Sequence, residues 1–146
     1  MLNLSIIIPS HDEPYLDKTI EDLKKKATGE IEIIVIHDKG LRPGINEGVE
    51  KARGKYIMKT DAHCLFGQGY DEILTADLEE NWVSTPRRHR LDVENWKVDD
   101  GGQDPVDYMY MSKNRALNGW KWKVKNADPA LKTVLIDDLM IAQGSC

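Results

Sequence analysis

The chain is predicted to adopt an α/β fold with a mostly parallel sheet flanked by helices, and two observations predict it. Three short apolar segments, the first two rich in Ile, alternate with two segments whose apolar residues repeat at helical spacing. The connections between these segments are short, which is typical of right-handed β-α-β units with parallel strands. With 146 residues, the chain suits one domain with its own core. We divide it into residues 1–86 and a more irregular remainder, 87–146.

The first half supplies the alternating elements in order. The opening strand is Ile-rich and closed by Pro9. The first helix has Leu16, Ile20 and Leu23 on one face, and Gly29 follows it as a stop. Gly54 follows the second helix in the same way. Strands are therefore predicted at residues 4–9, 31–36 and 56–60, and helices at 14–27 and 43–52.

Beyond the third strand the pattern is less regular. A helix is predicted over residues 70–80 and a fourth strand over 82–86, then a loop at 99–105 and strand-like segments at 108–111 and 120–124. The basic cluster Arg87–Arg90 suits either an acidic acceptor or phosphate, or simply a solvated loop. Trp120 and Trp122 suit either sugar stacking or core packing.

Composition excludes several classes of protein. The formal charge of −5 argues against general nucleic-acid binding, which favours basic surfaces. No apolar run approaches the length of a transmembrane helix, and no signal peptide is recognisable, so we expect a cytoplasmic protein without an integral membrane segment. Two cysteines, Cys64 and Cys146, do not make a disulfide framework.

Polar residues follow each of the three predicted strands: Ser10–Glu13, then His37-Asp38, then Asp61-Ala62-His63. The carboxyl ends of parallel strands share one edge of a sheet, where ligands bind in open α/β folds. Asp61 and His63 are two residues apart, so on an extended segment both would face the same cation. This pair predicts a divalent metal held against a diphosphate; the alternative is a turn cap at Asp61 and local packing of His63.

Other phosphate-binding patterns are missing from the sequence. No Gly-x-Gly-x-x-Gly follows the first strand, and no Gly-x-x-x-x-Gly-Lys-Ser/Thr occurs. The chain is therefore not predicted to be a dinucleotide-binding protein of the first type or a nucleotide triphosphatase of the second.

The ordered motifs resemble a family 2 glycosyltransferase of the GT-A fold. The matching pieces are Ser5-Ile6-Ile7-Ile8-Pro9-Ser10, His37-Asp38, Asn46-Glu47-Gly48 and Ala52-Arg53-Gly54-Lys55-Tyr56-Ile57. The Asp-x-Asp metal motif of that family is here Asp61-Ala62-His63-Cys64, which is similar to the Asp-Ser-His-Cys of polypeptide N-acetylgalactosaminyltransferases. The likeness spans residues 4 to 64 and continues more weakly to the end.

The resemblance implies a GT-A fold, with residues 1–86 as the nucleotide-sugar-binding half and 87–146 as a partial acceptor half. It implies a UDP-sugar donor, transfer with inversion to a carbohydrate or other hydroxyl acceptor, and Mn²⁺ bound by Asp61 and His63, with Mg²⁺ as an alternative. A mixed nitrogen and oxygen shell suits Mn²⁺ better. It also implies a nucleotide site formed by Pro9, Ser10, His11, Asp38, Arg42, Asn46, Asp61 and Ala62.

Three departures from the family pattern shape these expectations. His37 replaces the first of two paired Asp residues, so recognition of the base rests on Asp38, whose carboxylate can accept a hydrogen bond from a uracil N–H; alternatively, Asp38 is a turn cap. Ile45 stands where the family often has Arg, so Arg42 becomes the local phosphate partner. The third departure is His63 in place of Asp.

No convincing catalytic base is recognisable. Asp137 and Asp138 are weak candidates, since both also suit a turn or helix start before an apolar run. The sequence reads as cut short after Gly144-Ser145-Cys146, or as an unusually abrupt natural end. We expect donor binding with poor transfer, and self-association through apolar residues 134–142. The alternatives are a non-catalytic nucleotide-sugar-binding module and a nucleotidyltransferase.

Overall fold

A computed structural model describes residues 2–99, 101, 108–112, 118–134 and 137. Its centre is a parallel sheet of three strands in the order β2-β1-β3. The strands are β1 (Leu4–Ser10), β2 (Ile31–His37) and β3 (Tyr56–Lys59). Helix α1 (Leu16–Lys26) connects β1 to β2, and helix α2 (Leu41–Lys51) connects β2 to β3. The predicted mixed α/β architecture and the first five elements are confirmed.

The two helices cover opposite faces of the sheet. On one face, Leu4, Ile6 and Ile8 of β1 pack with Leu23 of α1 in the main core cluster. On the other face, α2 lies so close to β1 that a Cβ on Gly48 would stand 2.4 Å from Ile7 Cγ2. The chain moves in opposite directions from β1 to β2 and from β2 to β3, so helices on opposite faces mean crossovers of the same hand.

The end of the sheet opposite the strand carboxyl ends is held by a polar network. Glu32 of β2 accepts hydrogen bonds from Ser5 Oγ at 2.6 Å and from the Arg53 backbone N–H at 2.6 Å. The Arg53 guanidinium also pairs with Glu32 at 2.9 Å. A Cβ on Gly54 would lie 2.6 Å from the backbone nitrogen of Ser5, so only glycine allows the chain to enter β3 this closely to β1.

Two predicted elements are wrong. The helix expected over residues 70–80 is a single turn, α3 (Tyr70–Ile73), followed by turns. Residues 82–86 form no strand; Trp82 and Val83 are 52% and 83% exposed and do not extend the sheet. In the first segment Tyr70 is buried in the core but Ile73 is 72% exposed, so the apolar residues do not form one continuous buried face.

The second half forms small antiparallel units. Strands β4 (Leu91–Asp92) and β5 (Lys97–Val98) make one hairpin. Strands β6 (Met109–Met111) and β7 (Gly119–Lys121) pair as a second unit. The chain then forms α4 (Lys123–Ala127) and a 3₁₀ turn (Pro129–Leu131). The strand-like segments predicted at 108–111 and 120–124 are confirmed in part, since the latter becomes helical at Lys123.

Asn126 ties this last unit together. Its side chain accepts from the Tyr108 N–H at 3.2 Å and donates to the Tyr108 carbonyl at 2.8 Å. Most of the loop predicted at 99–105 falls outside the described residues. None of the helices in the described ranges has the length and apolarity needed to cross a bilayer.

Candidate functional site

The carboxyl edge of the sheet carries a cleft of about 380 Å³. It lies beyond the ends of β1 and β2 and is lined by Ser10, Asp12, Glu13, Pro14, Leu16, His37 and Asp38. The strand order β2-β1-β3 places β1 in the middle, with its two neighbours reached in opposite directions. In this strand order the switch point, where open α/β sheets bind ligands, lies between β1 and β3, whereas this cleft lies at the ends of β1 and β2.

His11 and Asp38 join the ends of β1 and β2 across this cleft. Nδ1 of His11 lies 2.7 Å from Oδ1 of Asp38, and the Asp38 N–H donates to the Ser10 carbonyl at 3.0 Å. Asp38 also has a φ of 58°, and Asp12 has a φ of 44°. Both conformations are uncommon outside glycine, although Asp tolerates them better than most residues. The hydrogen bond to Asp38 raises the pKa of His11 above its ordinary value, with the charge of Asp12 acting in the same direction.

Asp61 has a partner that the sequence reasoning missed. The Lys59 ammonium binds Oδ1 of Asp61, and both side chains are more than two-thirds buried. Lys59 ends β3, so Lys59 and Asp61 stand two positions apart at the end of an extended segment, with side chains on the same side. The spacing argument that was applied to Asp61 and His63 therefore describes Lys59 and Asp61, because the chain bends at residues 62 and 63.

His63 joins the end of β3 to the end of β1. Its Nδ1 lies 3.3 Å from Oε2 of Glu13. The contact from β1 to β2 through His11 and Asp38 thus has a counterpart from β1 to β3. Glu13, like Lys59, was not singled out as a site residue, although its place in the polar run after β1 was visible in the sequence.

Helix α1 holds the segment that carries this motif. The Thr19 hydroxyl donates to the Ala62 carbonyl at 2.9 Å and accepts from the Cys64 N–H at 3.0 Å. Asp22 accepts from the Phe66 N–H at 2.7 Å. Ala62 is buried in the core, and burial raises the pKa of the Cys64 thiol. The fold therefore fixes the backbone of residues 62–66 from the helix side.

The ligand types of Asp61 and His63 fit a divalent cation that arrives with a diphosphate. A carboxylate and an imidazole are both ligands that Mn²⁺ accepts, and phosphate-bound metals take only one or two protein ligands. Within the described part of the chain, however, no three His, Cys, Asp or Glu side chains are grouped to hold a metal ion by themselves. The ammonium of Lys59 is bound to Oδ1 of Asp61 and repels a second cation at the same carboxylate.

The remaining predicted nucleotide residues lie at or near the same edge. Ser10 lines the cleft, and Pro9 packs against α2, where a Cβ on Gly44 would be 3.4 Å from the Pro9 Cβ. Arg42 and Asn46 lie one turn apart in the first half of α2, and both are exposed. Arg42 is in the first turn, which begins next to the end of β2.

The weak catalytic candidates lie elsewhere. Asp137 accepts from the Tyr108 hydroxyl at 2.8 Å and pairs with the Lys125 ammonium at 3.2 Å. Its carboxylate thus links β6, α4 and the following segment. Asp138 lies outside the described residues.

The other side chains considered from the sequence take surface positions or join local clusters. In the basic cluster, the Arg87 guanidinium donates to the Lys132 carbonyl at 3.3 Å. Trp122 meets Tyr110 edge-on, with ring centroids 6.2 Å apart, whereas Trp120 is 41% exposed.

A comparison with models of known protein families, with curated proteins and with solved structures finds no match to this chain.

Proposed function

We propose that the protein is a metal-dependent glycosyltransferase of the GT-A type that uses a UDP-sugar donor. The observation that carries the proposal is the pair of contacts across the carboxyl edge of the sheet, from His11 to Asp38 and from Glu13 to His63. They bring residues of all three strand ends to one edge, as the donor site of such an enzyme requires. The motif order over residues 4 to 64 supplies the choice of family.

Asp38 is the residue proposed to recognise the base. Its carboxylate is at the surface of the cleft, and its side chain is 67% exposed, so it is free to accept a hydrogen bond from uracil N–H once His11 turns aside. Arg42, exposed in the first turn of α2, is proposed to contact the diphosphate. A guanidinium at a helix N-terminus adds to the favourable field that anions meet there.

Asp61 and His63 are proposed to hold the metal. A bound divalent cation would neutralise the charge that develops on the departing diphosphate. Lys59 contacts the same carboxylate. When no divalent cation is bound, its ammonium pairs with Asp61, so that neither charge is buried without a partner.

Calorimetric titration with UDP, with and without Mn²⁺, tests donor binding. Asp61→Asn should abolish the part of UDP binding that depends on Mn²⁺. Asp38→Asn should reduce the preference for UDP over ADP and GDP. Asp17→Asn, a change at an exposed carboxylate of α1 that does not line the cleft, is the matched control and should leave both unchanged.

A set of UDP-sugars offered to the intact chain then tests transfer and hydrolysis. Equal affinity of the parent for UDP, ADP and GDP would exclude the base contact of Asp38. Mn²⁺-dependent UDP binding that survives in Asp61→Asn would exclude the metal assignment.

A non-catalytic nucleotide-sugar-binding module is the second candidate. The observation that favours it is that Asp137, a candidate base, accepts a hydrogen bond from Tyr108 and pairs with Lys125. These contacts indicate a structural role for that carboxylate instead of a catalytic one. A module of this kind would bind UDP-sugar with Mn²⁺ and would neither hydrolyse nor transfer the sugar. A base normally contributes about 10²–10⁴-fold to the rate, so slow turnover above background would still separate the two candidates.

A further inference from the structure

A second cleft lies between α1 and the turn of the β4–β5 hairpin. Its volume is about 250 Å³, and its lining residues are Lys18, Glu21, Asp22, Lys25 and Trp96. Pockets that enclose drug-sized ligands measure about 300–1,000 Å³, so this one suits a group the size of one sugar ring. None of these residues lines the cleft at the ends of β1 and β2, which we call the strand-end cleft.

Trp96 enters this cleft from a backbone position that is unusual for a bulky residue. Its φ is 51°, a left-handed conformation in the turn of the hairpin. Glycine or asparagine would adopt this conformation with less strain than a bulky side chain does. Strain of this kind persists only where the surrounding contacts hold the residue in place.

The strained position brings the indole of Trp96 onto α1. Its ring stacks on Tyr15, with centroids 6.1 Å apart and planes inclined by 27°. The Lys18 ammonium lies 5.4 Å from the Trp96 centroid and 5.8 Å from that of Tyr15. Trp96 is thus the one aromatic ring among the residues that line the cleft, and Lys18, Glu21 and Lys25 are exposed beside it.

This combination matches the chemistry of a sugar. The C–H bonds on one face of a pyranose carry slight positive charge, and the face of an aromatic ring is negative. The hydroxyl groups around the ring both donate and accept, so they can bind the carboxylate of Glu21 and the ammonium groups of Lys18 and Lys25.

The Trp96 cleft adjoins the proposed donor cleft along the chain, at residues 14–16. Pro14 and Leu16 line the strand-end cleft, and Tyr15 between them stacks on Trp96. We propose that the Trp96 cleft binds a carbohydrate, and that this carbohydrate is the acceptor of the transfer. The acceptor role rests on the proposed glycosyltransferase function, whereas carbohydrate binding by the cleft does not.

The binding test uses cellotriose, maltotriose and chitotriose as probes, with saturation-transfer NMR on the intact chain. Trp96→Asn removes the indole while suiting the left-handed backbone, so the hairpin turn is kept. Trp82→Asn is the matched control, because Trp82 is 52% exposed and lines neither cleft. At least one probe should bind the parent and the control alike, and its affinity should fall at least tenfold in Trp96→Asn.

Trp96→Phe keeps an aromatic face and should recover part of the affinity. Binding of all three probes that is equal in the parent and in Trp96→Asn, or no binding to the parent, would overturn the proposal. A purely structural role for Trp96 would lower the thermal stability of Trp96→Asn without any probe binding to the parent.

Titration of the same variants with UDP and Mn²⁺ separates the two proposals. Retained UDP binding with lost saccharide binding in Trp96→Asn supports an acceptor cleft distinct from the donor cleft. Saccharide binding by a parent chain that does not bind UDP would overturn the donor proposal and the acceptor role, and would support the carbohydrate cleft alone.

Discussion

The contact between Lys59 and Asp61 makes the proposed metal site a competition between two cations. The side chains of Lys59 and Asp61 are only 15% and 30% exposed. Removing the ammonium therefore leaves a largely buried carboxylate without its partner. The loss of one member of a largely buried pair destabilises a fold, but it also removes a charge that repels a metal ion.

Lys59→Met should therefore lower the stability of the metal-free chain by about 1–3 kcal/mol. In the presence of UDP it should raise the affinity for Mn²⁺ by roughly fivefold or more, since removing repulsion of about 1 kcal/mol has that effect. Electron paramagnetic resonance of free Mn²⁺ measures the affinity, and thermal unfolding measures the stability. Lys24→Met, at an exposed position of α1, serves as the control. Unchanged Mn²⁺ affinity in Lys59→Met would contradict binding at Asp61.

The pKa of His11 gives a second prediction for a single residue. Because the Asp38 carboxylate raises it, proton NMR should place the pKa of His11 above the ordinary value of 6.5, and Asp38→Asn should bring it down. Protonated His11 stabilises the contact below pH 6.5, and this contribution is lost as the pH rises through the raised pKa. A His11 pKa that is the same in the parent and in Asp38→Asn would show that the contact does not form in solution.

Most residues that line the strand-end cleft could be predicted from the sequence, but the contacts between their side chains could not. The polar runs after β1, β2 and β3 could be found because parallel strands end together. Lys59 was missed because a strand lysine is usually solvated, and its pairing with Asp61 depends on where the chain bends. The stack of Trp96 on Tyr15 joins residues 81 positions apart, which no local pattern reveals.

Among the elements, α2 packs closely against β1 at Gly48. Alanine favours a helix over glycine by about 1 kcal/mol, but a Cβ at position 48 would lie 2.4 Å from Ile7 Cγ2. Ile7 is fully buried and cannot move aside. Gly48→Ala should therefore destabilise the fold by about 1–3 kcal/mol in chemical denaturation. Gly67→Ala, where the added Cβ meets nothing within 4 Å, should be near neutral. Equal stability of the two variants would contradict the close packing of α2.

The network at the opposite end of the sheet predicts acid sensitivity. Hydrogen bonds from Ser5 and from the Arg53 backbone lower the pKa of Glu32 from 4.5 to about 2. A lowered pKa stabilises the fold above the unfolded value, and the effect is lost as the pH falls through the folded value. The free energy of unfolding should thus fall between pH 4.5 and about pH 2, and Glu32→Gln should lack this component. Urea unfolding at several pH values measures it, and identical pH profiles would refute the role of Glu32.

The elements that the sequence predicts well are those of the central sheet. Their short apolar runs, Ile-rich in β1 and β2, and the helical periodicity between them favour this arrangement over others. The helix over 70–80 and the strand over 82–86 failed for a common reason: apolar residues such as Ile73 and Val83 suggest burial, but here they are 72% and 83% exposed. Local propensity does not decide such segments when no neighbouring element covers them.

At the scale of the whole molecule, stability should be uneven. Strand β1 is hydrogen-bonded on both sides and its Ile6, Ile7 and Ile8 are fully buried, whereas the β4–β5 hairpin has two residues in each strand. Small antiparallel hairpins are marginal by themselves. Hydrogen exchange should therefore be at least about 10²-fold slower at the β1 amides than at those of β4 and β5, because only larger openings expose the central strand. Similar protection in both would mean that the molecule opens as a single unit.

The order of the elements along the chain has a consequence for synthesis on the ribosome. All three strands of the sheet, both covering helices and the Asp-x-His motif lie within the first 63 residues. During translation at about 5–20 residues per second, this part leaves the exit tunnel seconds before strands β6 and β7 and the neighbouring Trp122. The nascent chain can therefore assemble the proposed donor cleft first, with the hairpin that carries Trp96 docking onto an α1 that is already in place.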